Sequence, residues 1–232
     1  MGKILVFTAT YNERENILSL INKILHLSKN IDILVIDDNS PDGTWDLLKK
    51  ISKENKNLFI IKRNKKLGLN TAHQMGFDYA KNKNYEKLIT MDADFSHDPR
   101  EIPQIINLLD NYDFVIGSRY SEGGKNTQSI FRYLLSFTGN KLIKLLLKID
   151  INEFTTSYRG FNIKKLGDFN LRLIKGKGYS FFMETVIILY RLGYNCKEFP
   201  IIFNDRKFGK SKIPKIEIFR TLKNLIYLFY NK

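Results

Sequence analysis

The feature that most constrains this chain is a short apolar run that stops at two carboxylates one residue apart. Residues 88–91 read Leu-Ile-Thr-Met, and Asp92 and Asp94 follow directly. A run of this length that is bounded by charge is typical of a buried strand in a parallel sheet. Residues 98–101, Asp-Pro-Arg-Glu, then supply an N-cap, a proline at N1 and a glutamate at N3, which favour a helix start. We therefore predict that Asp92 and Asp94 lie at the carboxyl end of a strand.

That position predicts a binding site. In open α/β sheets, ligands bind outside the carboxyl ends of the strands. Two hard oxygen ligands held close together there suit Mg²⁺ or Mn²⁺ that carries phosphates. The alternative is a solvated turn with capping acids, because Asp-x-Asp is a short and common pattern. The pair alone leaves both interpretations open.

The first 120 residues alternate strand-like runs with amphipathic helical patterns. Strands are predicted at residues 3–9, 31–36, 58–61, 88–91 and 114–117. Helical spacing of apolar residues lies between them, for example after Asn12 and over residues 102–109. Strands that alternate with helices indicate an α/β fold with a mostly parallel sheet and right-handed crossovers.

The pattern changes in the second half of the chain. A long helical pattern runs from about Ser129 to Ile149, and further helices are predicted at residues 181–192 and 214–230. Only residues 198–203 read as a strand there. We expect one domain with an α/β half, residues 1–120, and a mainly helical half, residues 121–232.

Composition narrows the function classes. With 43% hydrophobic residues the 232-residue chain can build a core. Its net charge of +14 favours an anionic partner such as nucleic acid, an acidic lipid surface or a phosphorylated small molecule, and the alternative is a lysine-rich surface without a dedicated partner. The lone Cys196 excludes an internal disulfide or a multi-cysteine zinc site, and the first residues show no signal-peptide pattern, so we expect a reducing cytosolic setting. Lys144 and Lys148 interrupt the longest apolar stretch, so we predict no spanning helix.

Carboxylates follow three of the predicted strands. They are Glu13, the pair Asp37 and Asp38, and the pair Asp92 and Asp94. Neither a Gly-x-Gly-x-x-Gly motif nor a Walker-type loop is present, so a nucleotide would have to be held by side chains. Asp38 can accept hydrogen bonds from a base or ribose, with helix capping as the alternative for Asp37 and Asp38.

Basic side chains outside the regular elements oppose these acids. They are Arg119, Arg159, and Arg206 with Lys210 and Lys212. The planar fork of arginine suits phosphate oxygens. The sequence thus favours a phosphate-bearing ligand near the acids.

A polar stripe also recurs on the long helix. Arg132, Ser136 and Asn140 are spaced every four residues among apolar neighbours, so they share one face. The stripe either binds a lipid phosphate at a membrane surface or is a solvent face of a core helix.

Two further residues have open roles. Glu184 lies among aromatic residues and can be a base, a sugar-hydroxyl acceptor or a structural carboxylate, of which we favour the last two. His97 either contacts the metal site or is a surface histidine beside the helix cap.

Seven motifs, taken in order, point to a family. They are residues 10–13 (Thr-Tyr-Asn-Glu), 37–44 (Asp-Asp-Asn-Ser-Pro-Asp-Gly-Thr), 92–97 (Asp-Ala-Asp-Phe-Ser-His), 117–120 (Gly-Ser-Arg-Tyr), the stripe of Arg132, Ser136 and Asn140, 156–159 (Thr-Ser-Tyr-Arg), and Asp205 and Arg206 with Gly209, Ser211 and Lys212. Across essentially the whole chain this set resembles the family 2 glycosyltransferases of GT-A type, and among them the dolichol-phosphate mannose synthases and other polyprenyl-phosphate glycosyltransferases. Glu153 and Thr156 depart from the family pattern near the acceptor motif.

The resemblance implies a GT-A, Rossmann-like fold and a role for each half of the chain. Residues 1–120 would bind a nucleotide sugar and residues 121–232 would form the acceptor side. The implied reaction is inverting transfer of a hexose, with mannose and GDP-mannose favoured, to a polyprenyl or dolichyl phosphate with Mg²⁺ or Mn²⁺. The implied roles are Tyr11, Glu13 and Asp38 for the nucleoside, Asp92 and Asp94 for the metal, Arg119, Arg132 and Ser136 for the acceptor phosphate, and Arg206 and Lys212 for the donor diphosphate, with Asp94, Arg119 and Arg132 catalytic.

A lipid acceptor requires access to a bilayer. We expect the helices that begin near Ser129 and Pro214 to dock on an anionic cytoplasmic membrane face or on a small membrane partner, unless the terminal helix packs on the protein body. Two other functions stay open at this stage. One is transfer to a saccharide hydroxyl in surface polysaccharide synthesis, and the other is a non-catalytic basic module that binds nucleic acid.

Overall fold

The computed structural model of the chain describes residues 2–204 and 216–230. Arg206, Lys210 and Lys212 therefore lie outside the described residues. The strands assigned in the described part are β1 (Ile4–Thr10), β2 (Ile31–Asp37), β3 (Leu58–Lys62), β4 (Lys87–Thr90), β5 (Phe114–Ser118), β6 (Lys125–Asn126), β7 (Arg159–Asn162), β8 (Cys196–Pro200) and β9 (Ile202–Phe203). The helices are α1 (Arg14–Leu25), α2 (Thr44–Glu54), α3 (Leu69–Asn82), α4 (Ile102–Asn111), α5 (Ile130–Leu147), α6 (Ile163–Leu166), α7 (Tyr179–Arg191) and α8 (Ile216–Tyr230).

Seven of these strands form the central sheet, in the order β3-β2-β1-β4-β7-β5-β8. All neighbours are parallel except β7, which runs antiparallel to both β4 and β5. The predicted α/β class with a mostly parallel sheet is confirmed. Strand β7 was not predicted, because Arg-Gly-Phe-Asn shows neither an apolar run nor an apolar alternation.

Alternation along the strands creates two cores, one on each face of the sheet. Val6 packs with apolar residues of α1, α2 and α4, whereas Leu5 and Phe7 pack with those of α3, α5, α7 and α8. Successive side chains of a strand point to opposite faces, so one strand serves both cores. Helices therefore cover both faces of the sheet, as parallel strands require.

The register of the parallel strands brings the predicted site loops to one edge. Thr10 pairs with Asp37, and the Thr10 hydroxyl donates to the Asp37 carboxylate at 2.9 Å. Thr90 pairs with Phe7, and the Met91 N–H donates to the Phe7 carbonyl at 3.1 Å. The loops after β1, β2 and β4 therefore leave the sheet side by side.

Strands from both predicted halves of the chain join this sheet. β7 and β8 come from residues 121–232, and the predicted strand over residues 198–203 divides into β8 and β9. The division follows from a change of partner, since Ile201 donates to the Ser118 carbonyl and accepts from the Lys125 N–H. β9 then pairs with β6 in a second, two-stranded sheet. The functional division at residue 120 stays a prediction.

The two long helices of the second half lie near each other. α5 confirms the helix predicted over residues 129–149 to within two residues. One face of α8 packs on α7, with Leu225 and Leu228 buried, while Tyr227 and Tyr230 on the same helix stay exposed. Within residues 2–204 and 216–230 every helix is too short or too polar to cross a bilayer.

Gly160 of β7 gives a test of this packing. A Cβ at this position would lie 2.5 Å from Ile105 Cγ2 and 2.9 Å from Leu109 Cδ1 of α4, so Gly160→Ala must push the helix away. We expect it to lower the free energy of unfolding by about 1–3 kcal/mol in urea titrations. Gly139→Ala is the matched control, because nothing lies within 4 Å of a Cβ there and alanine favours the helix by about 1 kcal/mol. Equal effects of the two substitutions would contradict the packing.

Candidate active site

The turn after β4 holds the paired carboxylates in a fixed geometry. The Asp92 N–H donates to His97 Nδ1 at 3.1 Å, and the Ser157 hydroxyl donates to Asp92 Oδ1 at 2.6 Å. Asp94 Oδ1 accepts the Ser96 N–H at 3.1 Å and also the Ser96 hydroxyl. This acid turn, residues 92–97, is therefore fixed by its own side chains and by one residue from the β7 side.

His97 is buried, so the interpretation as a surface histidine was wrong. Its ring stacks on Tyr158 with centroids 4.8 Å apart, and only 1% of the residue is exposed. Burial lowers the pKa of His97 below its ordinary value. The neutral ring explains how Nδ1 can accept the Asp92 N–H, and it leaves Nε2 to carry the proton.

The donor set of the acid turn fits a hard divalent cation. Asp92 is partly exposed, Asp94 is buried, and Ser96 adds a hydroxyl oxygen. Within residues 2–204 and 216–230, His, Cys, Asp and Glu side chains form no cluster of three or more that could hold a metal. Mg²⁺ is commonly held by one or two carboxylates together with substrate phosphates and water, so two carboxylates suffice. The pattern suits a metal that arrives with a diphosphate.

Asp37 and Asp38, at the end of β2, have different partners. Asp37 is fully buried and accepts from Thr10 and from the Ser40 N–H at 3.0 Å, so it fixes the loop rather than facing a ligand. Asp38 forms an ion pair with Arg63, and both side chains are at least nine-tenths buried. This arginine was missed by the sequence analysis, although it directly follows β3 in the basic run of residues 62–66.

Arg63 is itself held in place. Its Nη1 donates to the Thr71 hydroxyl at 2.6 Å and its Nη2 to the Gly68 carbonyl at 3.2 Å. Gly68 has φ of 95°, a conformation that glycine adopts without strain. The loop before α3 therefore orients the arginine that orients Asp38.

The other two predicted nucleoside residues lie in the neighbouring loop after β1. Lys66 Nζ lies 4.5 Å from the centre of the Tyr11 ring, and Glu13 accepts from the Asn16 amide at 2.9 Å. Asn12, between them, has φ of 59°, which asparagine tolerates better than most residues. The loops after β1 and β2 are tied together, since the Asn12 N–H donates to the Ser40 hydroxyl.

Arg119 lies in a buried ion pair. Its Nε and Nη2 donate to the two oxygens of Glu153 at 2.7 and 2.9 Å, and Nη2 also reaches the Thr155 hydroxyl at 2.9 Å. Burial opposes the charge on each partner, but their mutual attraction outweighs it, so the pKa of Arg119 lies above and that of Glu153 below its ordinary value. The predicted phosphate contact of Arg119 stays a prediction, and the structure adds Glu153 as its partner.

An aromatic side chain joins Arg119 to the acid turn. The Phe203 ring lies 4.9 Å from the Arg119 guanidinium carbon and 5.4 Å from the His97 ring. The Asn204 N–H, one residue further on, donates to the Ser96 carbonyl at 3.2 Å. The acid turn and Arg119 therefore belong to one site.

The polar stripe on α5 divides by exposure. Arg132 is exposed, Ser136 is half-buried, and Asn140 is buried. Asn140 accepts the Phe154 N–H at 2.7 Å and donates to the Ser136 carbonyl at 2.8 Å, so its role is structural. Arg132 and Ser136 are the solvent-accessible members of the stripe, and their contact with an acceptor phosphate stays a prediction.

Two other predicted candidates are structural. Arg159 is fully buried and donates to the carbonyls of Thr156 and Phe154, at 2.8 and 3.0 Å, so it is no exposed phosphate ligand. Glu184 accepts the N–H groups of Lys175 and Gly176 and the amide of Asn224, which confirms the structural role among those considered.

Comparison with known proteins agrees with this geometry. Residues 5–169 match the family model for Glycosyl transferase family 2, and the chain belongs to that family. The polyprenol monophosphomannose synthase of Mycolicibacterium smegmatis is 35% identical over 214 residues, which cover 91% of this chain and 81% of that protein. The undecaprenyl-phosphate mannosyltransferase of Micrococcus luteus is 32% identical over 212 residues, which cover 91% of this chain and 87% of that protein.

Solved structures define the fold. Glucosyl-3-phosphoglycerate synthase of Mycobacterium tuberculosis, in complex with Mn²⁺, UDP and glucosyl-3-phosphoglycerate, superposes with a TM-score of 0.70 at 15% identity, over 97% of this chain and 79% of that one. Its complex with Mn²⁺, UDP-glucose and phosphoglyceric acid gives 0.72 at 16% identity, over 99% and 80%. The predicted GT-A fold is confirmed.

Arg63 offers a direct test of the nucleoside side. Arg63→Met removes one partner of a buried ion pair and leaves Asp38 unpaired, so we expect a loss of about 3 kcal/mol in the free energy of unfolding. The orientation of Asp38 should be lost as well, and nucleoside diphosphate binding measured by calorimetry should weaken about tenfold or more. Lys65→Met is the control, because Lys65 is exposed in the same loop. An Arg63 variant with the stability and nucleotide affinity of the control would contradict this role.

Proposed function

We propose that this chain transfers a hexose, with mannose favoured, from a nucleoside-diphosphate sugar to a polyprenyl phosphate at a membrane surface, with inversion at the anomeric carbon. The observation that carries the proposal is the contact of Phe203 with both His97 and Arg119. This contact joins the acid turn, which suits a metal-bound diphosphate, with the loop that carries Arg119 and precedes α5. The named relatives, which span 91% of the chain, are polyprenol and undecaprenyl-phosphate mannosyl enzymes.

The chemistry of such an acceptor makes few demands on the protein. A phosphate monoester carries between one and two negative charges near neutral pH and needs no strong base to become a nucleophile. One of its oxygens attacks the anomeric carbon as the bond from that carbon to the diphosphate oxygen breaks, and the nucleoside diphosphate leaves. A hydroxyl acceptor would instead need an acid such as Glu184 or Asp94 as base, and the Glu184 carboxylate already accepts three N–H groups.

The residues of the site divide between the two anionic reactants. Tyr11, Glu13 and Asp38 would hold the nucleoside, while Arg119, Arg132 and Ser136 would bind the acceptor phosphate. Asp92 and Asp94 would hold Mg²⁺ or Mn²⁺, which when bound neutralises charge on the departing diphosphate. Arg206 and Lys212 are proposed for the same diphosphate from sequence alone.

A bilayer is the proposed partner of the exposed apolar side chains on α5 and α8. Ile130, Leu134 and Leu145 are 72%, 50% and 66% exposed on α5, and Tyr227 and Tyr230 are 60% and 79% exposed on α8. Apolar side chains this exposed on two neighbouring helices, in a chain of net charge +14, suit the surface of an anionic membrane. The polyprenyl chain of the acceptor would be embedded in that same membrane.

A thermal-shift panel tests the donor and the metal. We expect one class among GDP-, UDP- and dTDP-sugars, with Mn²⁺, to raise the melting temperature by about 5–10 °C at a hundredfold excess over Kd. The shift should largely vanish in Asp94→Asn and persist in Asp46→Asn, which changes an exposed aspartate of α2. Equal shifts in wild type and Asp94→Asn would remove Asp94 from the metal site.

Co-sedimentation with liposomes tests the membrane surface. We expect wild type to bind vesicles that contain anionic lipid at moderate salt, and Leu134→Glu with Leu145→Glu to weaken binding about tenfold or more, because a charge must then enter the apolar boundary. Leu18→Glu, on α1, is the control and should bind as wild type does, since Leu18 is 42% exposed outside α5 and α8. A wild type that stays in the supernatant would overturn direct docking.

A further inference from the structure

The connection between α5 and β7 is held by side chains from several other elements. Residues 152–157, termed the linker segment, precede β7 and contact the acid turn through Ser157 and Thr156. Glu198 of β8 accepts the N–H groups of Asn152 and Glu153, both at 2.9 Å. Asn140 of α5 accepts the Phe154 N–H, and the Thr90 hydroxyl of β4 donates to the Ser157 carbonyl at 2.6 Å. A segment without regular structure thus has its backbone groups bonded to the surrounding helix and strands.

Arg159 also holds the linker segment in place, through hydrogen bonds to its backbone carbonyls. It is 1% exposed and forms no ion pair among the described residues, and its Nη1 is buried without a hydrogen-bond partner there. Nε and Nη2 donate to the carbonyls of Thr156 and Phe154, while the guanidinium carbon lies 4.9 Å from the Phe182 ring. Burial lowers the pKa of Arg159 to about 9, so it is charged at neutral pH. Burying a charge is costly, so a buried guanidinium that donates to two carbonyls of the linker segment indicates that the conformation of this segment is important.

The linker segment touches both sides of the proposed reaction. Glu153 forms an ion pair with Arg119, while the Ser157 hydroxyl donates to Asp92 Oδ1. Thr156 Oγ1 lies 3.4 Å from His97 Nε2, and His97 in turn accepts the Asp92 N–H. Asn140 connects the same segment to the α5 turn that carries Ser136.

We propose that the linker segment is the rigid connection that sets the position of the metal-side Asp92 relative to the acceptor-side Arg119 and α5. Glu153, Ser157 and Arg159 are then positioning residues, which act through Asp92 and Arg119 and do not touch the reactants. The names of the two sides rest on the proposed function, but the mechanical connection does not. Disturbing the segment at its acceptor end should loosen the acid turn at the other end.

Amide hydrogen exchange of the full-length protein tests this connection without substrate. The N–H groups of Asp92, Phe154 and Thr155 are bonded to the side chains of His97, Asn140 and Glu153, so their exchange reports those contacts. Two variants remove contacts of the linker segment: Glu153→Ala removes the ion pair with Arg119, and Arg159→Met removes the hydrogen bonds to the Thr156 and Phe154 carbonyls. We expect each to accelerate exchange about tenfold or more both in the segment and in residues 92–97. Glu153→Ala decides the matter if Arg159→Met does not fold.

Phe77→Leu is the control for a general loss of stability. Phe77 is fully buried on α3 against Phe161 and Phe169, and it belongs to the core on the side of α3 and α7. The Phe77→Leu substitution should lower the melting temperature without selectively accelerating amide exchange in residues 92–97. The proposal would be overturned if exchange in Glu153→Ala is faster only in residues 152–157. It would also be overturned if Phe77→Leu accelerates exchange in residues 92–97 as much as Glu153→Ala does. A wild type that transfers no sugar while the exchange pattern holds would instead refute the proposed function alone.

Discussion

Parallel pairing of β1, β2 and β4 is the constraint on which the rest of this structure depends. Because the three strands run in the same direction, their carboxyl ends meet at one edge, and every loop that carries a predicted acid leaves the sheet there. β7 is antiparallel and lies between β4 and β5, so the residues that precede it approach the same edge from the other direction. This one reversed strand brings Ser157 to Asp92 and Glu153 to Arg119.

Charge is distributed so that two anionic reactants can meet. Among the described residues three arginines are buried: Arg63 and Arg119 in ion pairs with Asp38 and Glu153, and Arg159 against backbone carbonyls. Each of the two ion pairs is neutral as a whole, so exposed basic residues such as Arg132 add to the attraction for phosphate, while the phosphate contact of Arg119 stays a prediction. In this account Arg63 and Arg159 fix geometry, while Arg119 and the exposed basic residues bind the anionic substrates.

Sequence reasoning reached the fold and the acid turn because both depend on local patterns. Apolar runs located β1, β2 and β4, and the Asp-Pro-Arg-Glu motif located the short 3-10 helix Pro99–Glu101, where the Asp98 side chain accepts the Arg100 N–H. Pairings between residues distant in sequence could not be predicted. Arg63 lies 25 residues from Asp38, and Glu153 lies 34 residues from Arg119, with no periodicity to connect them. β7 was missed for a related reason, since its four residues are buried through their neighbours and not through their own hydrophobicity.

Transfer of labelled sugar to matched lipids tests the central claim most directly, namely that a phosphate is the nucleophile. Wild-type protein with Mn²⁺ and the labelled donor selected by the thermal-shift panel would be given undecaprenyl phosphate, undecaprenol or a soluble oligosaccharide. The account predicts labelled lipid from undecaprenyl phosphate alone, with the label released by mild acid, because only this acceptor brings its own anionic oxygen. Label in the oligosaccharide, or equal label in undecaprenol, would contradict it.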